Sequence, residues 1–171
     1  MDKLGFLWHH TGRRLAFMEV KKRIGYGWIP YERDARKLAA KIMAIGKPRN
    51  IYGKPRGGLC LAVKLSHLLN VPMIYEESQI GPDTQIVEDT CDTGATLYRL
   101  ARLTKRPVMA IFANNATRQI EVPGLIYLEE TDGGWVDFPW EADDDDPEIK
   151  KLRQGNVVPA EEVSVSGTST P

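Results

Sequence analysis

The chain has 171 residues, 42% of them hydrophobic, which suits one domain of ordinary size with a core of its own. Lys+Arg and Asp+Glu each number 23, so the formal net charge is zero. That balance argues against the basic stripe that sequence-independent nucleic-acid binding needs, and no apolar run approaches the ~20 residues of a membrane span.

A soluble, cytoplasmic, single-domain protein is the expectation. The N-terminal stretch carries charges and the pair His9-His10, a poor secretory signal. Cys60 and Cys91 are expected as reduced thiols rather than as a disulfide. Met1 to Trp28 shows no steady period and carries the basic cluster Lys21-Lys22-Arg23 before Gly25-Tyr26-Gly27. It reads as an arm with at most one short helix, its Phe6, Trp8 and Phe17 packing against the domain or a partner subunit rather than touching nucleic acid.

From Tyr31 to Ala44 the residues Ala35, Leu38, Ala39 and Ile42 recur at three-to-four spacing, with Arg33, Arg36, Lys37 and Lys41 on the other face. That pattern predicts a helix, ended by Gly46-Lys47-Pro48. Asn50 to Tyr52 is a short strand running into the turn Gly53-Lys54-Pro55-Arg56-Gly57-Gly58, and Leu59 to Leu69 is a second helix with Leu61, Leu65, Leu68 and Leu69 on one face. Strands are predicted at Val71–Tyr75, Thr84–Val87, Val108–Ala113 and Leu125–Leu128, and a third helix at Ala95–Leu103 closed by Arg106-Pro107. The unbroken apolar run at Val108 suits a parallel strand covered on both faces. Strands alternating with helices give an α/β domain with a mainly parallel sheet. From Glu141 onward the chain turns acidic and then polar, a tail expected to stay unordered. Its run Asp143 to Asp146 reads as solvated charge rather than as a metal site.

The chemistry sits in Gln85-Ile86-Val87-Glu88-Asp89-Thr90-Cys91-Asp92-Thr93-Gly94-Ala95-Thr96-Leu97. An apolar strand carries this loop to the carboxyl edge of the sheet, where open α/β folds bind ligands. Gly94 permits a tight turn, and the unpaired N–H groups of the turn, with the hydroxyls of Thr93 and Thr96, form an anion pocket. Glu88 and Asp89 stand where vicinal ribose hydroxyls would meet them. The bland alternative is a helix cap, but a cap needs one such residue, whereas three carboxylates and two threonines surround this glycine.

The segment resembles the binding signature for phosphoribosyl pyrophosphate (PRPP) of the type I phosphoribosyltransferases: two apolar residues, two acids, two variable residues, Asp-Thr-Gly, then a small residue and Thr. The resemblance runs over roughly Trp28 to Trp140 and looks closest to the xanthine–guanine phosphoribosyltransferases. Tyr31 to Ala39 resembles their N-terminal helix, Gly53 to Leu59 their pyrophosphate loop, and Gly134-Trp135-Val136-Asp137-Phe138-Pro139-Trp140 the hood segment that ends their base site. The division implied is an arm over 1–28, a phosphoribosyltransferase domain over 29–140 and a tail over 141–171.

The resemblance implies that Arg56, with the amides of Pro55 and Gly57, holds the pyrophosphate, the planar guanidinium matching phosphate oxygens. One peptide bond of that loop is often cis in the family, and the family's position points to Pro55–Arg56, with Lys54–Pro55 as the cheaper candidate. The 5′-phosphate would lie on Asp92, Thr93, Gly94, Ala95 and Thr96. Glu88 and Asp89 would meet the ribose, Asp89 with Mg²⁺. Trp135 would stack on the base unless it is core packing beside Trp140, Val136 would offer backbone groups to its edge, and Asp137 would meet an exocyclic amine. Asp92 would accept the proton of the incoming base. The partners implied are PRPP and a purine-like base (guanine, xanthine, hypoxanthine or a relative), in a homo-oligomer.

Two features depart from the family. Members that use 6-oxopurines carry a lysine just after the strand matching Val108 to Ala113, and here that position is Asn114, followed by Asn115. An asparagine donates and accepts, so it suits a 6-oxo or a 6-amino group. Relatives also carry a long mobile hairpin over the reacting carbon, whereas here only Glu77 to Asp83 separates the strands. At ~3.4 Å per residue this segment reaches about 24 Å, enough to close the fold and no more. A short or absent lid and a carbon more open to water are therefore expected. These departures motivate the alternative of a regulatory module that binds PRPP without turnover.

Overall fold

The protein is described by a computed structural model over residues 22–154. Its centre is a five-stranded, wholly parallel sheet. In chain order the sheet elements are β2 (Asn50–Gly53), β3 (Met73–Ile74), β4 (Thr84–Cys91), β5 (Met109–Asn114) and β6 (Glu129–Thr131), arranged spatially as β3-β2-β4-β5-β6. A separate two-stranded parallel ribbon joins β1 (Arg23–Gly25) to β7 (Trp135–Asp137). The helices are α1 (Trp28–Ile45), α2 (Gly57–Leu69), α3 (Ala95–Ala101) and α4 (Pro147–Arg153). None among the described residues is long and apolar enough to cross a membrane.

Successive strand residues point to opposite faces, and the core divides accordingly. Ile51, Val87, Met109 and Ile111 join Leu38, Ile42, Leu61 and Leu65 of α1 and α2 on one face. Tyr52, Ile86 and Ala110 join Leu97 and Leu100 of α3 on the other. All six residues of β5 are buried, as expected of a strand covered on both sides.

At the edge of the first core stands an aromatic group. Tyr26 meets Phe112 and Phe138 edge-on at 5.0 and 5.5 Å, and Trp140 stacks on Phe138 at 4.8 Å. The Tyr26 hydroxyl donates to Asp34 Oδ2 at 2.9 Å. Asp34 is wholly buried in α1. Burial alone would raise its pKa, but hydrogen bonds from Arg33, Lys37 and Tyr26 outweigh it and hold the carboxyl at about 2. The arm is thereby fastened to α1 through one buried carboxylate.

Several expectations are corrected in detail. The end of the arm is a strand, where at most one short helix was expected, and α1 begins already at Trp28. Met1 to Lys21 lies outside the described residues, as does 155–171. β4 extends through Glu88, Asp89 and Thr90 to Cys91, so the two acids sit on a strand rather than on a loop. The edge strand is at Glu129–Thr131 and not at Leu125–Leu128. The latter segment meets β5 only at isolated points, Ile126 bridging Met109 and Leu128 N donating to Ile111 O at 3.1 Å. Within the tail, Pro147–Arg153 forms α4, whose N-terminus is capped by Asp146 accepting from Glu148 N at 2.8 Å. Asp144 and Asp145 pair with Arg153 and Lys150 of α4, while Asp143 faces Arg23 of β1 at 4.0 Å. Cys60 and Cys91 are both free thiols.

Candidate functional site

Three strands end at the same edge. β2 delivers Lys54-Pro55-Arg56 to the start of α2, β4 delivers Asp92-Thr93-Gly94 to the start of α3, and β5 ends on Asn114. The parallel registers Gly53↔Val87 and Cys91↔Ala113 place the loops side by side.

The turn after β4 is built around Gly94, whose φ is +86°, a left-handed conformation that costs other residues about 1–2 kcal/mol. A Cβ there would also stand 2.4 Å from Ile120 O. The turn is braced from behind, because Gln119 N and Ile120 N donate to Thr93 O at 3.2 and 3.1 Å. Among the described residues no protein acceptor takes the N–H groups of Thr93, Gly94, Thr96 or Leu97. These donors line a cavity of about 100 Å³ bounded by Glu88, Thr90, Cys91, Asp92, Thr93, Gly94, Thr96 and Leu97. A larger hollow of about 480 Å³ lies behind the brace, along Arg118 to Val122 with Leu125 and Tyr127, and contains none of the predicted residues.

The second loop packs on the acid pair. A Cβ on Gly57 would stand 2.0 Å from Asp89 Oδ2, and one on Gly58 would stand 2.8 Å from Glu88 Oε1. Only glycines let the carboxylates lie this close to the loop. The Pro55–Arg56 bond is cis, at the position the family resemblance indicated. Arg56 is exposed, and among the described residues no carboxylate lies within ion-pair distance of it. Burial pushes both carboxyls up, and for Glu88 the charge of Asp89 adds to it. A divalent cation would relieve that repulsion. The oxygens are hard ligands, and the set fits Mg²⁺, which keeps waters and binds through one or two carboxylates plus substrate phosphates. Among the described residues no group of three or more His, Cys, Asp or Glu offers a full cage.

Beside the turn, Asp92 is exposed and accepts at Oδ1 from Asn114 Nδ2, 3.2 Å away, and from the Thr117 hydroxyl. Trp135 is 54% exposed and absent from the aromatic stack of Trp140, so the core-packing alternative does not hold. Val136 is buried. Asp137 is held by Arg23 through Nε at 2.9 Å and a terminal nitrogen at 2.7 Å. The structure thus brings Glu88, Asp89, Asp92 to Thr96 and Pro55 to Gly57 to one edge, with Trp135 to Asp137 on the ribbon.

Sequence reasoning missed Thr117 and Glu77. Glu77 takes Arg99 in a two-pronged pair at 2.6 and 2.9 Å and Lys54 at 3.2 Å. It joins the β3–β4 connection to the loop before α2 and to α3. That connection, Tyr75 to Asp83, holds a single 3-10 turn at Glu77–Gln79 and no hairpin.

Solved structures share this architecture. A purine phosphoribosyltransferase from Pyrococcus horikoshii Ot3 is 26% identical, with TM-score 0.60, covering 71% of this chain and 95% of its own. A xanthine–guanine–hypoxanthine phosphoribosyltransferase from Helicobacter pylori is 17% identical, with TM-score 0.57, covering 78% and 99%. The fold is that of the type I phosphoribosyltransferases. A hypothetical protein from Neisseria gonorrhoeae with bound ppGpp shares it too, at 19% identity and TM-score 0.60, covering 79% of this chain and 98% of its own. No protein-family model matches the chain, and no curated protein sequence matches it.

Proposed function

We propose that the protein is a phosphoribosyltransferase that moves the 5-phosphoribosyl group from PRPP to a purine-like base and releases pyrophosphate. The observation that carries this reading is the junction of two loops: a turn with free N–H donors around Gly94, and an acid pair packed against Gly57 and Gly58. A sugar phosphate needs the first, a ribose–pyrophosphate the second, and both lie at one sheet edge.

In this reading the amides and hydroxyls of Thr93 to Thr96 hold the 5′-phosphate, Glu88 and Asp89 hold the ribose hydroxyls, and Arg56 takes the pyrophosphate with Pro55 and Gly57. Asp89 would hold Mg²⁺, which when bound neutralises charge on the leaving pyrophosphate. The base lies on Trp135 beside the backbone of Val136. As the C1′–O bond breaks, its electron pair leaves with pyrophosphate. The ring nitrogen forms the new bond to C1′ and gives its proton to Asp92. The work of the protein is placement and charge stabilisation.

The test is pyrophosphate release from PRPP–Mg²⁺ with guanine, hypoxanthine, xanthine and adenine. Asp92→Asn is expected to lower turnover by about 10²–10⁴ while still binding PRPP. Tight PRPP binding by the wild type with no release for any base would favour a non-catalytic sensor, the reading to which the absent hairpin points. Failure to bind PRPP would end both.

A further inference from the structure

Asn114 closes β5 beside Asp92, because Cys91 and Ala113 are paired neighbours in the sheet. It is 6% exposed, and its amide is heavily engaged. Its Oδ1 accepts from Ala116 N and from Gly133 N, each at 3.2 Å, while its Nδ2 donates to Asp92 Oδ1 at 3.2 Å. The two backbone N–H groups fix which end of the amide is the oxygen, since the flipped amide would set its NH₂ against two donors. The Thr117 hydroxyl donates to the same Asp92 oxygen. Asp92 Oδ2 receives no protein donor among the described residues.

We infer that Asn114 and Thr117 are positioning residues for Asp92, and that Asn114 does not read the 6-substituent of the base; this rests on the transferase reading above. Two donors saturate one oxygen of an exposed carboxylate and hold the other toward the acceptor's ring N–H. A general base has to come within about 2.6–3.2 Å of the proton it takes, and an exposed aspartate without such anchors spreads over several rotamers. The same asparagine grips Gly133, which with Gly134 carries the chain into Trp135. Their φ values of +87° and +104° belong to glycine, and a Cβ on Gly134 would stand 2.5 Å from Lys22 O. One side chain therefore sets the proton acceptor and the stacking platform in register with each other.

The experiment uses the full chain with PRPP–Mg²⁺ and guanine, hypoxanthine or adenine, comparing wild type with Thr117→Val, Thr117→Ser and Asn114→Ala. Thr117 is exposed, so its variants leave the core untouched. Thr117→Val and Asn114→Ala are expected to lower kcat about tenfold to a hundredfold, equally for every base, with the KM for PRPP unchanged. Thr117→Ser should restore the rate. Full activity in Thr117→Val, or an Asn114→Ala change confined to the ratio of 6-oxo to 6-amino bases, would overturn the inference. If the wild type releases no pyrophosphate, the transferase reading fails by itself, and the ¹³C resonance of the Asp92 carboxyl decides the positioning. It should move in Thr117→Val and Asn114→Ala but not in Thr117→Ser. A resonance that stays put in the first two sinks it.

Discussion

Gly57 shows how little room the site leaves at single residues. With Asp89 Oδ2 only 2.0 Å from where its Cβ would be, Gly57→Ala has to push the Asp89 carboxylate off the loop or the loop away from it. We expect the variant to keep its helix content and to bind PRPP–Mg²⁺ about tenfold or more weakly, the worth of one charged hydrogen bond. Titration calorimetry beside circular dichroism checks this, and an unchanged Kd would show that Asp89 does not serve the ligand. The sequence shows that a glycine pair follows Arg56, but not what the pair touches. That contact is created by the register of β2 on β4, in which Gly53 lies opposite Val87. Thr117 was illegible for a related reason. Its partner Asp92 is 25 positions away, and nothing around Thr117 in the chain has a motif's shape. Only the fold-back of the segment after β5 brings the two together.

At the scale of elements, the helices and the buried strands were legible because their patterns are strong and local. Ala35, Leu38, Ala39 and Ile42 mark α1 and the run into Phe112 marks β5, whatever else surrounds them. The edge of the sheet was not. Leu125, Ile126 and Leu128 have the composition of a strand, but ladder pairing with β5 resumes only at Glu129, opposite Phe112. A strand edge is fixed by its neighbour's hydrogen bonds rather than by its own side chains. The connection from β3 to β4 was expected to be short, and its length could be counted; its fastening could not, since Glu77 meets Lys54 and Arg99 from two other elements. Those cations hold the Glu77 carboxyl down at about 2, Arg99 contributing most. A carboxyl whose folded value lies below its ordinary 4.5 adds stability that is present above pH 4.5 and is lost as the pH falls through about 2. Glu77→Gln should cost about 1 kcal/mol at neutral pH, as expected for an ion pair open to solvent. The gap between variant and wild type should close in acid. Urea melts at pH 7 and pH 2.5 measure both values, and a gap of equal size at each pH would refute the ion-pair account.

Taken whole, the molecule joins two sheets of unequal kind on one core. The sheet with α1, α2 and α3 is assembled from neighbours in sequence, each strand laid next to one that is close in the chain. The ribbon is not. Its Arg23–Asp137 contact joins positions 114 apart, and its two strands come from opposite ends of the described chain. The family resemblance made Gly134 to Trp140 recognisable as a hood, while the strand that pairs with it, Arg23 to Gly25, was hidden within a basic stretch with no period. Side-chain pattern cannot announce a strand three residues long whose partner lies so far along the chain.

Closing so large a loop is entropically costly and is rewarded late, after the local contacts have formed. The ribbon should therefore be the last part to assemble and the first to come loose. The Tyr26 amide, bonded to Asp137 O at 3.0 Å, and the Trp135 amide, bonded to Lys22 O at 2.8 Å, are expected to exchange with deuterium well before those of β5. If they exchange together with β5, the molecule opens as one unit. If they exchange first, the ribbon opens by itself while the sheet stays closed, and Trp135, carried on β7, moves with the part of the molecule that is held by the longest loop rather than by its neighbours in the chain.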